Sequence, residues 1–210
     1  MTTKRATTRP TPRRNRASEV LQAAIEVFWE KGYAASSVQD VADRVGVLKG
    51  SLYHYIDSKE DLLFRIFDES HRQASAILEE VAAIDAPSIE RLRTYVERYL
   101  LWYLTNLVRV SLYLSEWRYL SGARLAKVME QRRTYEGFVR GLIVAAQEES
   151  DVAASVNAKF ASFFILGALN GVPTWYRRNG PDPPEEIAKE YAVMALDVLT
   201  PRPARRKRRA

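Results

Sequence analysis

The 210-residue chain has no cysteine and only two histidines, His54 and His71. Disulfides and thiolate metal sites are thereby excluded, and a histidine-based metal site has too few ligands. No uncharged apolar run approaches the roughly 20 residues of a membrane-spanning helix, and the first residues lack the apolar core of a secretory signal. Also missing are a nucleophile beside a base, a glycine-rich phosphate loop and a carboxylate pair with a defined role, so no enzyme is expected. These absences lead to the expectation of a soluble cytoplasmic protein with no cofactor, no metal and no membrane partner.

What is present begins with charge. Residues 1–16 hold Lys4, Arg5, Arg9, Arg13, Arg14 and Arg16 and no acid, and residues 202–209 hold Arg202, Arg205, Arg206, Lys207, Arg208 and Arg209 and no acid. Without those twelve, 20 of the 32 basic residues face 26 acids, so an acidic body of about −6 carries two basic ends. Such ends are expected to be disordered and to attract polyanions. The chain divides into a basic tail at 1–16, a first segment at 17–67, a second segment at 68–200 and a second basic tail at 201–210.

Between the tails nearly every segment has helical period and none alternates with period two, which predicts an all-α protein of about nine helices. Leu21, Ala24, Ile25 and Phe28 give the first helix, from about Ser18 to Lys31, one apolar face, and Gly32 ends it. Ser37 with Asp40 reads as a capping box for a second helix that stops at Gly46, and Ser58 with Asp61 starts a fourth. A long helix is expected at about 123–149 and another at about 152–178 with Pro173 inside it. The last helix should begin with Asp182 as cap and Pro183 in its first turn.

The third helix is the unusual one. Two turns are expected over 49–56, yet only Leu52 and Ile56 are apolar and share a face, leaving Gly50 and His54 opposite and Lys49, Ser51 and Tyr53 on the flanks. Two short helices joined by a glycine turn, the second weakly apolar, make a helix-turn-helix. In it Gly50 permits close approach to DNA, Tyr53 and His54 reach phosphates or base edges, and Lys49 and Lys59 supply charge. The amides at the start of the second helix, near Ser37, suit a phosphate. A solvated two-turn helix between core helices has the same spacing.

The stretches "VLQAAIEVFWEKGYAASS" and "SVQDVADRVGVLKGSLYHYIDSKEDLL" resemble the DNA-binding region of the TetR family of bacterial transcriptional regulators. Phe28, Gly32, Val41, Ala42, Gly46, Ser51, Leu52, Tyr53, Lys59 and Leu62 carry the resemblance over residues 17–67; Tyr55 and Ile56 depart from it, where other aromatics are common. It implies that Ser37, Lys49, Gly50, Ser51, Tyr53, His54 and Lys59 contact double-stranded operator DNA. It also implies that the following helices bind a small effector and form a homodimer.

The rest of the sequence supports those roles from its own residues. Phe160, Phe164, Gly167 and Gly171 with Tyr191, Met194 and Val198 are the candidate dimer interface, a four-helix arrangement about a two-fold axis; an intramolecular core would use the same residues. Tyr99, Tyr103, Trp117, Tyr135, Phe138 and Asn170 are the candidate effector pocket, within a wider aromatic set that includes Tyr95, Trp102, Tyr113 and Tyr119; Arg109, Glu116 and Arg133 are possible polar fixers. Taken singly, any one of these aromatics is better explained by plain core packing. "YLSEWRYLSGARLAKVMEQRRTYEGFVRGLI" with "WYRRNGP" is similar to members that sense acyl-CoA or other lipid-derived ligands. The expected function is a repressor released from a palindromic operator by a largely apolar effector; the alternative is an architectural DNA-binding protein without effector.

Overall fold

The computed structural model describes residues 13–200, which form nine α-helices, one short 3₁₀ turn and no strand. The helices are α1 (Arg13–Lys31), α2 (Val38–Val45), α3 (Lys49–Leu52), α4 (Lys59–Ala82), α5 (Ser88–Thr105), α6 (Leu107–Ser115), α7 (Gly122–Glu148), α8 (Ala158–Trp175) and α9 (Pro184–Leu199). Two compact units divide between Ile66 and Phe67, within α4. None of the described helices is long and apolar enough to cross a membrane. The expected tails at 1–12 and 201–210 lie outside the described residues, whereas Arg13 to Arg16 already belong to α1.

In the first unit, α1 buries Val20, Ala24, Ile25, Val27 and Phe28, and α2 packs against it through Val38, Val41 and Ala42. Gly32 (φ 77°) and Gly46 (φ 73°) adopt the left-handed conformation that a side chain disfavours. Gly46 N–H returns to α2, and Val47 N–H closes on Ala42 O at 3.0 Å, the 6→1 bond of a Schellman stop. The third helix is shorter than expected: after Leu52 the chain continues as a turn, with Tyr55 N–H donating to Leu52 O at 2.8 Å. Ile56 is buried all the same, so the apolar anchor survives without the second helical turn.

The second unit is built around α5, which buries Leu92, Tyr95, Val96, Tyr99, Leu100, Tyr103 and Leu104. Helix α9 packs along α5, and α7 packs on both α5 and α8. Two boundaries differ from the sequence reading. Helix α8 starts at Ala158 because Asn157 caps it, accepting from Phe160 N–H at 3.2 Å, while Val152 is instead a buried residue whose amide closes the end of α7. Asp182 is not the cap of α9: Pro184 follows Pro183 and holds it extended (ψ 142°), so Pro183 takes the cap position and Pro184 the first turn.

The capping box at α2 is complete. Asp40 N–H donates to Ser37 Oγ at 3.2 Å, Ser37 N–H donates to Asp40 Oδ2 at 2.7 Å, and Lys31 pairs with the same carboxylate. The Lys31 ammonium first, and then the Ser37 hydroxyl and amide, pull the Asp40 pKa down to about 2. A carboxylate whose folded pKa lies below its ordinary 3.8 stabilises the fold above that pH and loses its contribution as pH falls towards 2. Asp40→Asn should therefore lower the melting temperature by about 2–4 °C at pH 7. The difference should close near pH 2, which thermal melts across pH will test.

Candidate nucleic-acid interface and ligand cavity

Leu52 is the residue that holds α3, buried beside α2, and around it the exposed surface runs through Leu48, Lys49, Gly50, Tyr53 and His54, with Ser51 half-buried. Tyr53 is 50% exposed although its ring is large. A Cβ built on Gly50 meets nothing within 4 Å, so the missing side chain serves no packing in this unit. The strip therefore has what entry into a major groove requires: hydrogen-bonding groups, one cation and a low point for close approach.

Ser37 and Lys59 sit differently from the other expected DNA contacts. The Ser37 hydroxyl donates to Asp40 Oδ2 at 2.6 Å, so its contribution is the cap itself and the free first-turn amides of α2. The Lys59 ammonium donates to the backbone carbonyls of Tyr33 and Ser36, lies 3.4 Å from that of Ala34 and stands 4.3 Å from the centre of the Tyr33 ring. Burial lowers its pKa. Tyr33 O also accepts from Ser36 N–H at 3.3 Å and Ser36 Oγ at 2.8 Å, so Lys59 joins a bonded loop after α1, a clamp within the unit rather than a donor held out to phosphate.

In the second unit the tyrosines converge. Tyr99, Tyr103, Tyr113 and Tyr135 form a common wall between two spaces. The inner one, closed by Ser70, His71, Ala74 and Trp102, has only about 10 Å³ of free volume. The outer one, bounded also by Leu114, Arg132, Leu166 and Asn170, has about 400 Å³, within the range of small-molecule sites. Tyr103 O–H donates to Asn170 Oδ1 at 3.0 Å, the Tyr99 and Tyr103 oxygens are 3.2 Å apart, and the Tyr135 oxygen lies 2.8 Å from His71 Nδ1. Burial pushes the Tyr99, Tyr103 and Tyr135 pKa values up and the His71 pKa down, so the wall is polar but uncharged near neutrality.

Arg132 is the cation of this cavity. Its guanidinium stands 5.2 Å from the centre of the Tyr113 ring and 4.8 Å from that of Trp117, and Nη2 donates to Tyr113 O at 3.2 Å. No carboxylate among the described residues pairs with it. Among the possible polar fixers the sequence offered the next residue, Arg133, which is exposed; in a long helix a one-residue step turns a side chain by 100°. Two expected pocket residues do not line either space. Trp117 lies outside, where it braces Arg132, and Phe138 packs against buried Tyr95 with ring centres 5.3 Å apart.

The candidate dimer residues are displayed outwards. Phe160 is 67%, Phe164 61% and Met194 50% exposed; Phe164, Met194, Val198 and half-buried Tyr191 line a groove of about 480 Å³ between α8 and α9, which Phe160 does not line. An intramolecular core is thus ruled out for Phe160, Phe164, Met194 and Val198, whereas Tyr191 packs in part against the core of the unit and stacks on Trp175. A Cβ on Gly167 or Gly171 would meet nothing within 4 Å, so neither glycine is required by packing within the chain.

Three substitutions separate these roles. Gly50→Ala should leave the melting temperature unchanged or slightly higher but weaken DNA binding in a gel shift at least tenfold, whereas Gly46→Ala, forced to φ 73°, should cost about 1–2 kcal/mol of stability. Lys59→Met should lower stability by about 1–3 kcal/mol in urea unfolding, because it strips donors from covered carbonyls. An unchanged midpoint would return Lys59 to the DNA surface.

Comparison with known proteins agrees with both halves of this geometry. Residues 20–66 match the model of the bacterial regulatory proteins, tetR family, and residues 85–199 match that of the tetracyclin repressor-like C-terminal domain. The HTH-type transcriptional repressor KstR2 of Rhodococcus jostii is 26% identical over 185 residues, spanning 88% of this chain and 91% of that protein. The fatty acid metabolism regulator protein of Bacillus subtilis is 27% identical over 166 residues, spanning 78% and 84%. AibR, solved in complex with isovaleryl coenzyme A and operator DNA, is 26% identical with a TM-score of 0.77, covering 85% of this chain and 97% of that one. With a helix-turn-helix unit, an all-α second unit and both family models matched, the chain belongs to the TetR family and is a DNA-binding transcriptional regulator.

Proposed function

We propose that the protein is a homodimeric repressor that leaves a palindromic operator when an effector with an apolar body and an anionic head enters the second unit. The observation that carries this reading is Arg132: a guanidinium fixed between two aromatic rings, facing a cavity otherwise lined by leucine and tyrosine side chains and the neutral Asn170 amide, with no carboxylate to neutralise it. A buried cation costs free energy until an anion arrives, which gives a ligand with that charge its differential affinity. Acyl-CoA thioesters and fatty carboxylates have this shape and charge, and the relatives that carry fatty acid metabolism or isovaleryl coenzyme A in their names support the same class.

The two outward helices supply the second half of the reading. The groove between α8 and α9 is apolar, its flanking residues are too large and too exposed for a solvated surface, and a second copy would bury all of them at once. Two-fold pairing would also present two copies of the exposed strip to DNA, half-sites one helical turn apart. The switch then requires that the effector-bound dimer favour a separation of those strips that no longer matches the half-sites. Helix α4 contributes buried Leu62, Leu63 and Ile66 to the first unit and Ser70, His71 and Ala74 to the wall of the inner space, so one helix carries both sets of residues.

Palmitoyl-coenzyme A, palmitate and hexadecanol form a graded probe set. Release of operator DNA in a gel shift is expected with the anionic members and not with the alcohol, and Arg132→Gln should raise the anion concentration needed by about tenfold or more while leaving effector-free DNA binding intact. Equal release by hexadecanol would remove the anionic head from the reading. Phe164→Asp should convert the dimer to a monomer in sedimentation and weaken operator binding about 100-fold; a dimer unaffected by that change would place the two-fold contact elsewhere.

A further inference from the structure

Leu48 is 80% exposed, more than any other large apolar side chain recorded among the described residues. It stands at the N-cap of α3, where Ser, Thr, Asp and Asn are favoured because their oxygen takes a free amide, and where Leu is among the poorest residues. The neighbouring helices follow that preference. Ser37 Oγ accepts from Asp40 N–H at the start of α2, and Ser58 Oγ accepts from Asp61 N–H at 3.0 Å at the start of α4. Leu48 makes no side-chain cap hydrogen bond, although its backbone (φ −69°, ψ 141°) is that of a capping residue. Folding of this unit therefore draws on the Leu48 side chain neither for burial nor for capping.

A lone exposed leucine elsewhere on a surface would need no explanation. This one continues the exposed strip of Lys49, Gly50, Tyr53 and His54 at the leading end of the helix that enters the groove. In a helix-turn-helix the first residues of that helix meet base edges, and the apolar feature a base pair offers in the major groove is the 5-methyl group of thymine. We infer that Leu48 is a specificity-determining residue that packs on a thymine methyl group in each operator half-site. The hydrogen-bonding residues of the strip read donors and acceptors; Leu48 reads the one group among them that has neither.

The inference rests on sequence-specific DNA binding, and its test keeps the two apart. Full-length protein and Leu48→Ser are compared; serine supplies the missing cap, so the variant should melt at or above the wild-type temperature. A duplex is first selected by the wild type from a randomised palindromic library, and each thymine is then replaced in turn by deoxyuridine, which keeps the hydrogen-bonding edge and lacks only the methyl. The wild type should lose about fourfold in affinity per half-site at one symmetry-related position, the loss of one buried methyl, while Leu48→Ser binds both versions equally. If no deoxyuridine replacement weakens the wild type, or if Leu48→Ser keeps the wild-type loss, the inference is overturned and DNA binding stands. If the wild type selects no sequence, specific binding itself falls and the inference with it.

Discussion

Burial of Leu52 and Ile56 ties a four-residue helix to the rest of the first unit, and the presentation of every exposed residue around it depends on those two side chains. A helix this short cannot offset its own nucleation cost. Its geometry is imposed by what surrounds it: the left-handed Gly46 that turns the chain out of α2, the two apolar anchors worth about 1.5–3 kcal/mol each, and the backbone bonds from residues 54 to 56 back to Ser51 and Leu52. Lys59 secures the loop that precedes α2 from the other side. Because two anchors suffice, the remaining positions from 48 to 54 are released from packing, and a chemically mixed strip costs the fold little.

The second unit solves the opposite problem, placing polar groups where the core would otherwise be dry. Tyrosines on α5 stack along one face, with Tyr95 and Tyr99 ring centres 5.0 Å apart; the Tyr103 hydroxyl meets Tyr99 and Asn170, that of Tyr135 on α7 meets His71, and those of Tyr95 and Tyr113 are buried without a partner. Each ring contributes apolar area while each oxygen demands a hydrogen bond, and the hydroxyls of Tyr99, Tyr103 and Tyr135 collect at one boundary where those bonds are made. That boundary is the wall shared by the two spaces. Arg132 is held at its edge by aromatic faces, an arrangement that keeps a cation weakly solvated and available to an anion.

Helix α8 has two apolar faces, and this is why it reads so densely. Ala161, Ile165, Leu169 and Val172 face the core of the unit, while Phe160, Phe163 and Phe164 face away from it. The apolar stripe of α8 thus exceeds what the core of this unit covers. Pro173 lies near the end of α8 and the helix stops two residues later, so its missing amide costs only a last-turn bond.

Much of this was legible in the sequence because the determinants are local. The helical periodicity, the Ser37–Asp40 box, the stops at Gly32 and Gly46 and the poverty of apolar residues over 49–56 each involve residues within a few positions of one another, and together they determined the all-α class and the helix-turn-helix. Neighbouring prolines at 183 and 184 were local too, and misread only because the second one governs the first. Position in space was not legible. Whether Arg132 or Arg133 faces a cavity, whether Lys59 meets phosphate or the carbonyls at 33 and 36, and which aromatics share a wall depend on partners as far apart as His71 and Tyr135. Side chains of one type look alike in a sequence, and only the tertiary structure decided which of them were spent on the fold and which were left facing outwards.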